Sequence, residues 1–121
     1  DGNYLVFSHT GDEKTITNTD LETKKWIDTI QELGAGEIVL NCMNQDGVRN
    51  GYDINQLNLM LSDCDVPLIA SGGAGSEMDF NEVLTKTSSS GALAASVFHK
   101  NLININKLKE SLKNKSINVR C

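Results

Sequence analysis

The sequence predicts an α/β fold, and within that class the C-terminal half of a (β/α)8 TIM barrel with one leading strand missing. Three observations carry this. Apolar, strand-like runs alternate with helix-prone segments along most of the chain. Two of these runs, Ile69-Ala70-Ser71-Gly72-Gly73-Ala74-Gly75 and Leu93-Ala94-Ala95-Ser96-Val97, break into small residues ahead of a helix-prone segment. Such corners let backbone N–H groups approach a phosphate without steric interference, and two in succession resemble the loops after strands seven and eight of many barrels. Finally, a closed barrel takes about 250 residues, so a chain of 121 residues makes about half of one.

The elements follow in order. Asn3 to Thr10 is β-favouring and ends at Gly11, one arm of a hairpin, with Asp12 to Asn18 as its loop and return. Thr19 or Asp20 then caps a helix whose Trp26, Ile27, Ile30 and Leu33 fall on one stripe, and Gly34-Ala35-Gly36 ends it. Glu37 opens the strand Ile38 to Met43, whose nearly continuous apolar character suits a parallel strand covered on both faces. Asn44-Gln45-Asp46-Gly47 closes it, and a loop through Arg49 to Tyr52 follows. Asp53 is an N-cap for a helix that buries Leu57, Met60 and Leu61. Pro67, the only proline, stands at the entrance of the strand Leu68-Ile69-Ala70, where its missing N–H does least harm. Ser76 and Asp79 read as a shortened capping box for the helix Glu77 to Thr85. A polar loop, Thr87 to Ser90, leads to the last strand, Gly91 to Ala94. A short helical turn starts near Ser96, and the helix Ile105 to Lys113, with Leu108 and Leu112 inward, leads into an extended tail, Ile117 to Cys121. This is one domain without a linker, and a strand ahead of Asp1 is needed to complete the fourth βα unit. A start at Asp1 rather than Met fits a fragment.

Composition narrows the partners. The net charge is −5 and the isoelectric point about 4.9, and Lys107, Lys109, Lys113 and Lys115 alternate with apolar and acidic residues as on a solvated helix face. This argues against nucleic acid. No run approaches the ~20 apolar residues of a membrane span, and no charged-then-apolar leader is present, so a soluble, cytosolic (cytoplasmic) protein with no membrane partner is expected. Cys42, Cys64 and Cys121 are odd in number and lack C-x-x-C spacing, which fits a reduced protein with no metal and no cofactor. Cys42 reads as packing, and His9 and His99 as non-ligands.

The residues that could carry chemistry share a placement. Asn41, Asp46, Gly47, Ser71, Gly73, Ala95 and Ser96 fall at or just past the carboxyl ends of strands, where α/β folds build their binding faces. Asp46 reads equally as an ordinary turn residue beside Gly47 and as a carboxylate that bonds substrate hydroxyls or assists proton transfer. Asn41 and Ser71 are strand ends with either a structural or a contact role. Gly72, Gly73 and Gly75 fit a tight turn as well as an anion cradle. The cradle gains from the second corner at Ala95-Ser96, where the next helix starts. Glu37 sits at the opposite, amino end of its strand.

The run from Gly34 to Asp53, GAGEIVLNCMNQDGVRNGYD, closely resembles the cyclase subunit of imidazole glycerol phosphate synthase, as do Pro67 to Gly75, Gly91 to Lys100 and the ending Asn118-Val119-Arg120-Cys121. The resemblance implies a (β/α)8 barrel of histidine biosynthesis. Such an enzyme takes ammonia from a glutaminase subunit and converts a phosphoribulosyl formimino carboxamide ribonucleotide into imidazole glycerol phosphate and an aminoimidazole carboxamide ribonucleotide. It implies that Gly47, Gly72, Gly73, Ala95 and Ser96 bind one of the substrate's two phosphates, and that Asn41, Asp46 and Ser71 line the reacting region. Glu37 would belong to a charged ring that gates ammonia entry, with its partners on strands outside this chain. The family's two catalytic aspartates lie on its first and fifth strands, upstream of Asp1, so the resemblance assigns no catalytic residue here, and Asp1 does not take that role. Asn44 and Gln45 replace an acidic and a basic residue of some relatives and leave Asp46-Gly47 intact. The chain therefore needs the N-terminal half-barrel for turnover. The alternatives are a non-catalytic, phosphate-binding half-barrel module, and the sister isomerase of the same pathway. All of these readings require that the Gly73 and Ser96 corners share one rim.

Overall fold

The computed structural model describes residues 3–120. Two strands, β1 (Leu5–Ser8) and β2 (Thr17–Glu22), form an antiparallel hairpin, and helix α1 (Thr23–Glu32) follows directly. Then come β3 (Ile38–Asn41), α2 (Ile54–Leu61), β4 (Leu68–Ser71), α3 (Glu77–Lys86), β5 (Gly91–Leu93), the single turn α4 (Ser96–His99) and α5 (Ile105–Asn114). Strands β3, β4 and β5 make a parallel sheet in that order, so this part of the molecule is α/β.

The helices begin and end where local chemistry dictates. The Asp53 side chain accepts from the Gln56 amide at 2.9 Å to cap α2, and Asn104 accepts from Lys107 at 3.1 Å to cap α5. Ser76 and Asp79 form the expected capping box on α3. Helix α1 stops at Gly34, whose φ of +94° lets the Gly34 and Ala35 amides turn back to Gln31 and Ile30.

The start of α1 differs from the sequence reading. Thr19 and Asp20 lie in β2, and Glu22 precedes the helix without a side-chain cap bond. The return of the hairpin therefore reaches to Glu22 rather than Asn18. Most of its residues are polar, and its ends pair with β1, Asn18 opposite Phe7 and Glu22 opposite Leu5, on either side of an irregularity that holds Asp20 at φ +58°. The α1 stripe is also narrower than expected. Ile27 is buried, whereas Trp26 is exposed and Leu33, past the helix end, is 78% exposed.

Strand β3 ends at Asn41, so Cys42 and Met43 lie beyond it, and β5 ends at Leu93 rather than Ala94. Ile117–Arg120 carries no regular element.

The register separates two sheet faces. Ile38, Leu68 and Ala70 belong to the face that packs into the core with Leu57, Met60, Val83, Val97, Leu108 and Leu112. On the other face Val39 pairs with Ile69 and Ile69 with Gly91, while Asn41, Ser71 and Leu93 end the three strands. Val39 is 54% and Leu93 44% exposed. The expectation that β3 is covered on both faces is thus corrected: among the described residues, helices cover one face only. Beside β3 a cleft of about 690 Å³ opens between the hairpin, α1 and the sheet, lined by Phe7, Trp26, Ile30 and Val39 among others.

Candidate functional site

Parallel register brings three strand ends to one level, with Asn41 opposite Ser71 and Ser71 opposite Leu93. The segments that leave these ends bound a single hollow of about 220 Å³. Asn41, Asp46 and Gly47 line it from the β3 side, Ser71 to Ala74 from β4, and Leu93 to Ser96 from β5. Every substrate-contact and phosphate-contact residue expected from the sequence is in this lining. Glu37 is not: it is exposed at the amino end of β3, the opposite end of the strand. His9 and His99 also lie outside it.

Each corner has a reason for its shape. After β3, the Cys42 amide extends the ladder to the Ser71 carbonyl, and the Gln45 and Asp46 amides turn back to the Cys42 carbonyl at 2.9 and 3.1 Å. Gly47 follows with φ +75°. After β4, Gly72 and Gly73 adopt φ +92° and +117°, which other residues enter only under strain. A Cβ at Gly72 would stand 2.8 Å from the Cys42 carbonyl oxygen, so the two corners meet backbone to backbone. After β5, Ala94 and Ala95 lead into Ser96, the first residue of α4.

The polar groups of the hollow fall into a set bonded to one another and a set without partners. The Ser71 hydroxyl donates to Asn41 Oδ1 at 2.9 Å, and Asn41 Nδ2 lies 3.4 Å from Asp46 Oδ2, a long bond that leaves the Asp46 carboxylate accessible. The backbone amides of Gly47, Gly73 and Ala95 and the Ser96 hydroxyl also line the hollow and donate to no group among the described residues. Gly73 is buried, and a buried amide without a partner is uncommon in proteins.

Cys42 lies behind the β3 corner and is buried. Burial, reinforced by the charge of Asp53, pushes its thiol up to about 12, so it remains protonated and takes no part as a nucleophile near neutral pH. Among the described residues no three His, Cys, Asp or Glu side chains gather as a metal site, and no helix is long and apolar enough to cross a membrane.

Sequence reasoning passed over Gly51 and Tyr52 as loop. Both are buried, Gly51 at φ +98°, and both bond the corners from behind. A glycine beside an aromatic residue immediately ahead of a helix cap was the available signal.

Comparison with known proteins places the chain in a family. A histidine biosynthesis protein family model matches residues 2–104. The imidazole glycerol phosphate synthase subunit HisF of Pseudoalteromonas translucida is 57% identical over 119 residues, covering 98% of this chain and 46% of the relative. Those of Aliivibrio salmonicida and Vibrio campbellii are 59% and 58% identical with the same coverage. The chain thus spans about half the length of these curated relatives. With a family model matched over most of its length, the chain belongs to the histidine biosynthesis protein family.

Proposed function

We propose that this chain is the C-terminal, phosphate-gripping part of an imidazole glycerol phosphate synthase cyclase subunit, built as half of a (β/α)8 barrel. The observation that carries the reading is the single hollow bounded by the corners of β3, β4 and β5. At about 220 Å³ it is smaller than the sites that enclose whole drug-sized ligands, and suits one terminal group of a larger substrate. The unpartnered donors of Gly47, Gly73, Ala95 and Ser96 supply what a phosphate needs, with Gly72 letting the backbone approach. Asp46 repels an anion close to it, which favours the donors of Gly73, Ala95 and Ser96 over that of Gly47, its chain neighbour. Asn41, Ser71 and Asp46 then take the hydroxyl-bearing part of the substrate.

The rest of the reaction lies with partners. The general acid and base come from an N-terminal half-barrel, which also covers the open sheet face at Val39 and Leu93. Ammonia comes from a glutaminase subunit docked at the amino end of the strands, where Glu37 forms part of the entry gate. The products are imidazole glycerol phosphate and an aminoimidazole carboxamide ribonucleotide, made in the cytoplasm.

Ammonia-dependent turnover tests this. The isolated chain is expected to give none, and the chain mixed with an N-terminal half-barrel fragment of the same family is expected to turn over the phosphoribulosyl substrate. Turnover by the chain alone contradicts the assignment of acid and base, and none in the mixture contradicts the enzyme reading. The uncovered sheet face favours one second reading, a non-catalytic half-barrel that pairs with another copy and binds phosphate without turnover.

A further inference from the structure

Beyond the ends of the strands, the two phosphate corners no longer share a ladder: the β4–β5 register stops at Ser71 opposite Leu93, while Gly73 and Ser96 lie two and three residues further on. Something else must fix their separation. The Gly51 amide donates to the Gly73 carbonyl at 2.8 Å. The next residue, Tyr52, donates its hydroxyl to the Leu93 carbonyl at 2.9 Å. Its ring meets Phe80 edge-on, with centroids 5.9 Å apart, and Phe80 in turn packs on Phe98 of α4 at 5.7 Å. Neither Gly51 nor Tyr52 lines the hollow.

We infer that Gly51-Tyr52 is a strut that sets the spacing of the two phosphate corners, with one consecutive pair of residues bonded to each corner from behind. Gly51 holds the β4 corner and Tyr52 the β5 corner, and Asp53, capping α2, anchors the pair in the fold. The geometry at Gly51 leaves little freedom, since a Cβ there would stand 3.3 Å from Asp79 Oδ1 at a φ of +98°. Tyr52 is buried, and burial together with the Asp79 charge raises its hydroxyl well above the ordinary tyrosine range, so it stays a donor. Both are positioning residues: they act on the anion through the amides they hold in place. Rigid spacing matters because donors that need no rearrangement bind without an ordering cost.

The inference rests on the phosphate reading above, and the experiment separates the two. Inorganic phosphate is titrated calorimetrically into the 121-residue chain, its Tyr52→Phe variant and a Leu108→Val variant, which loosens the core at α5 without removing a hydrogen bond to either corner. Tyr52→Phe keeps the ring and removes one hydrogen bond. The Kd of Tyr52→Phe is expected to rise about tenfold, with Leu108→Val matching the parent even where its thermal midpoint falls further. Equal phosphate affinity in Tyr52→Phe and the parent overturns the strut. An equal loss in both variants assigns the effect to general stability and overturns it too. A parent chain that binds no phosphate overturns the phosphate reading and the strut together.

Discussion

The carbonyl of Gly51 lies where a Cβ of Gly73 would have to go, far inside van der Waals contact, and the Gly51 amide is bonded to the Gly73 carbonyl. The β3 and β4 corners are therefore two backbones in direct apposition, with no room for a side chain. Gly73→Ala meets this obstruction at a φ of +117°. The expected cost is at least the ~1–3 kcal/mol of a forced left-handed backbone, read from urea unfolding. Phosphate affinity falls with it, because relief of the clash moves the Gly73 amide.

Ser71 is buried, and its hydroxyl donates to Asn41 across the register. Ser71→Ala is expected to cost about 1 kcal/mol in denaturant unfolding, the worth of one net hydrogen bond. In the proposed assembly with an N-terminal half-barrel it should raise the KM more than it lowers kcat, because it frees the Asn41 amide to reorient without touching an acid or a base.

Asp79 does more than cap. One carboxylate oxygen accepts from the Gly75 amide at 2.8 Å and from the Ser76 amide at 2.7 Å, which holds the end of the glycine corner to the start of α3. Asp79→Ala should cost about 1.5–3 kcal/mol, as bonds to a charged group do. Asp53→Ala, which removes a single cap bond from α2, should cost about 1 kcal/mol. Thermal unfolding of the two variants side by side checks the order.

The Cys42 thiol gives a pH dependence with a definite sign. Its pKa is raised from 9.0 to about 12 by burial and by Asp53, so the folded state holds a proton that the unfolded state releases first. Its contribution to stability is complete below pH about 9 and is lost as pH rises from about 9 towards 12. Cys42→Ala should flatten that part of the stability curve. Alkylation of the folded chain at pH 8 should spare Cys42, as peptide mapping would show.

Much of this was legible because the signals are local. Asp53, Ser76 with Asp79, and Gly34 each satisfy a helix terminus with a neighbour a few residues away, and sequence spacing shows such neighbours. The shared placement of the expected site residues was legible for a related reason: they sit where apolar strands end, and parallel register gathers strand ends at one rim. What escaped depends on distant partners. Thr19 and Asp20 look like caps in isolation, and instead fall in the irregular stretch of β2 opposite β1, with the Thr19 hydroxyl bonded to the Val6 carbonyl and Asp20 at φ +58°. The width of the α1 stripe and the open face at Val39 depend on what lies against them, which periodicity cannot report. Gly51 and Tyr52 escaped because their bonds reach Gly73 and Leu93, 22 and 41 residues along the chain.

The most direct test of the account is a phosphate titration of the isotopically labelled chain, followed at its backbone amides by NMR. The amides of Gly47, Gly73, Ala95 and Ser96 should shift together and saturate with one Kd, because they face one hollow. Shifts confined to a single corner, or none at all in a folded sample, would contradict the claim that the corners of β3, β4 and β5 grip one anion.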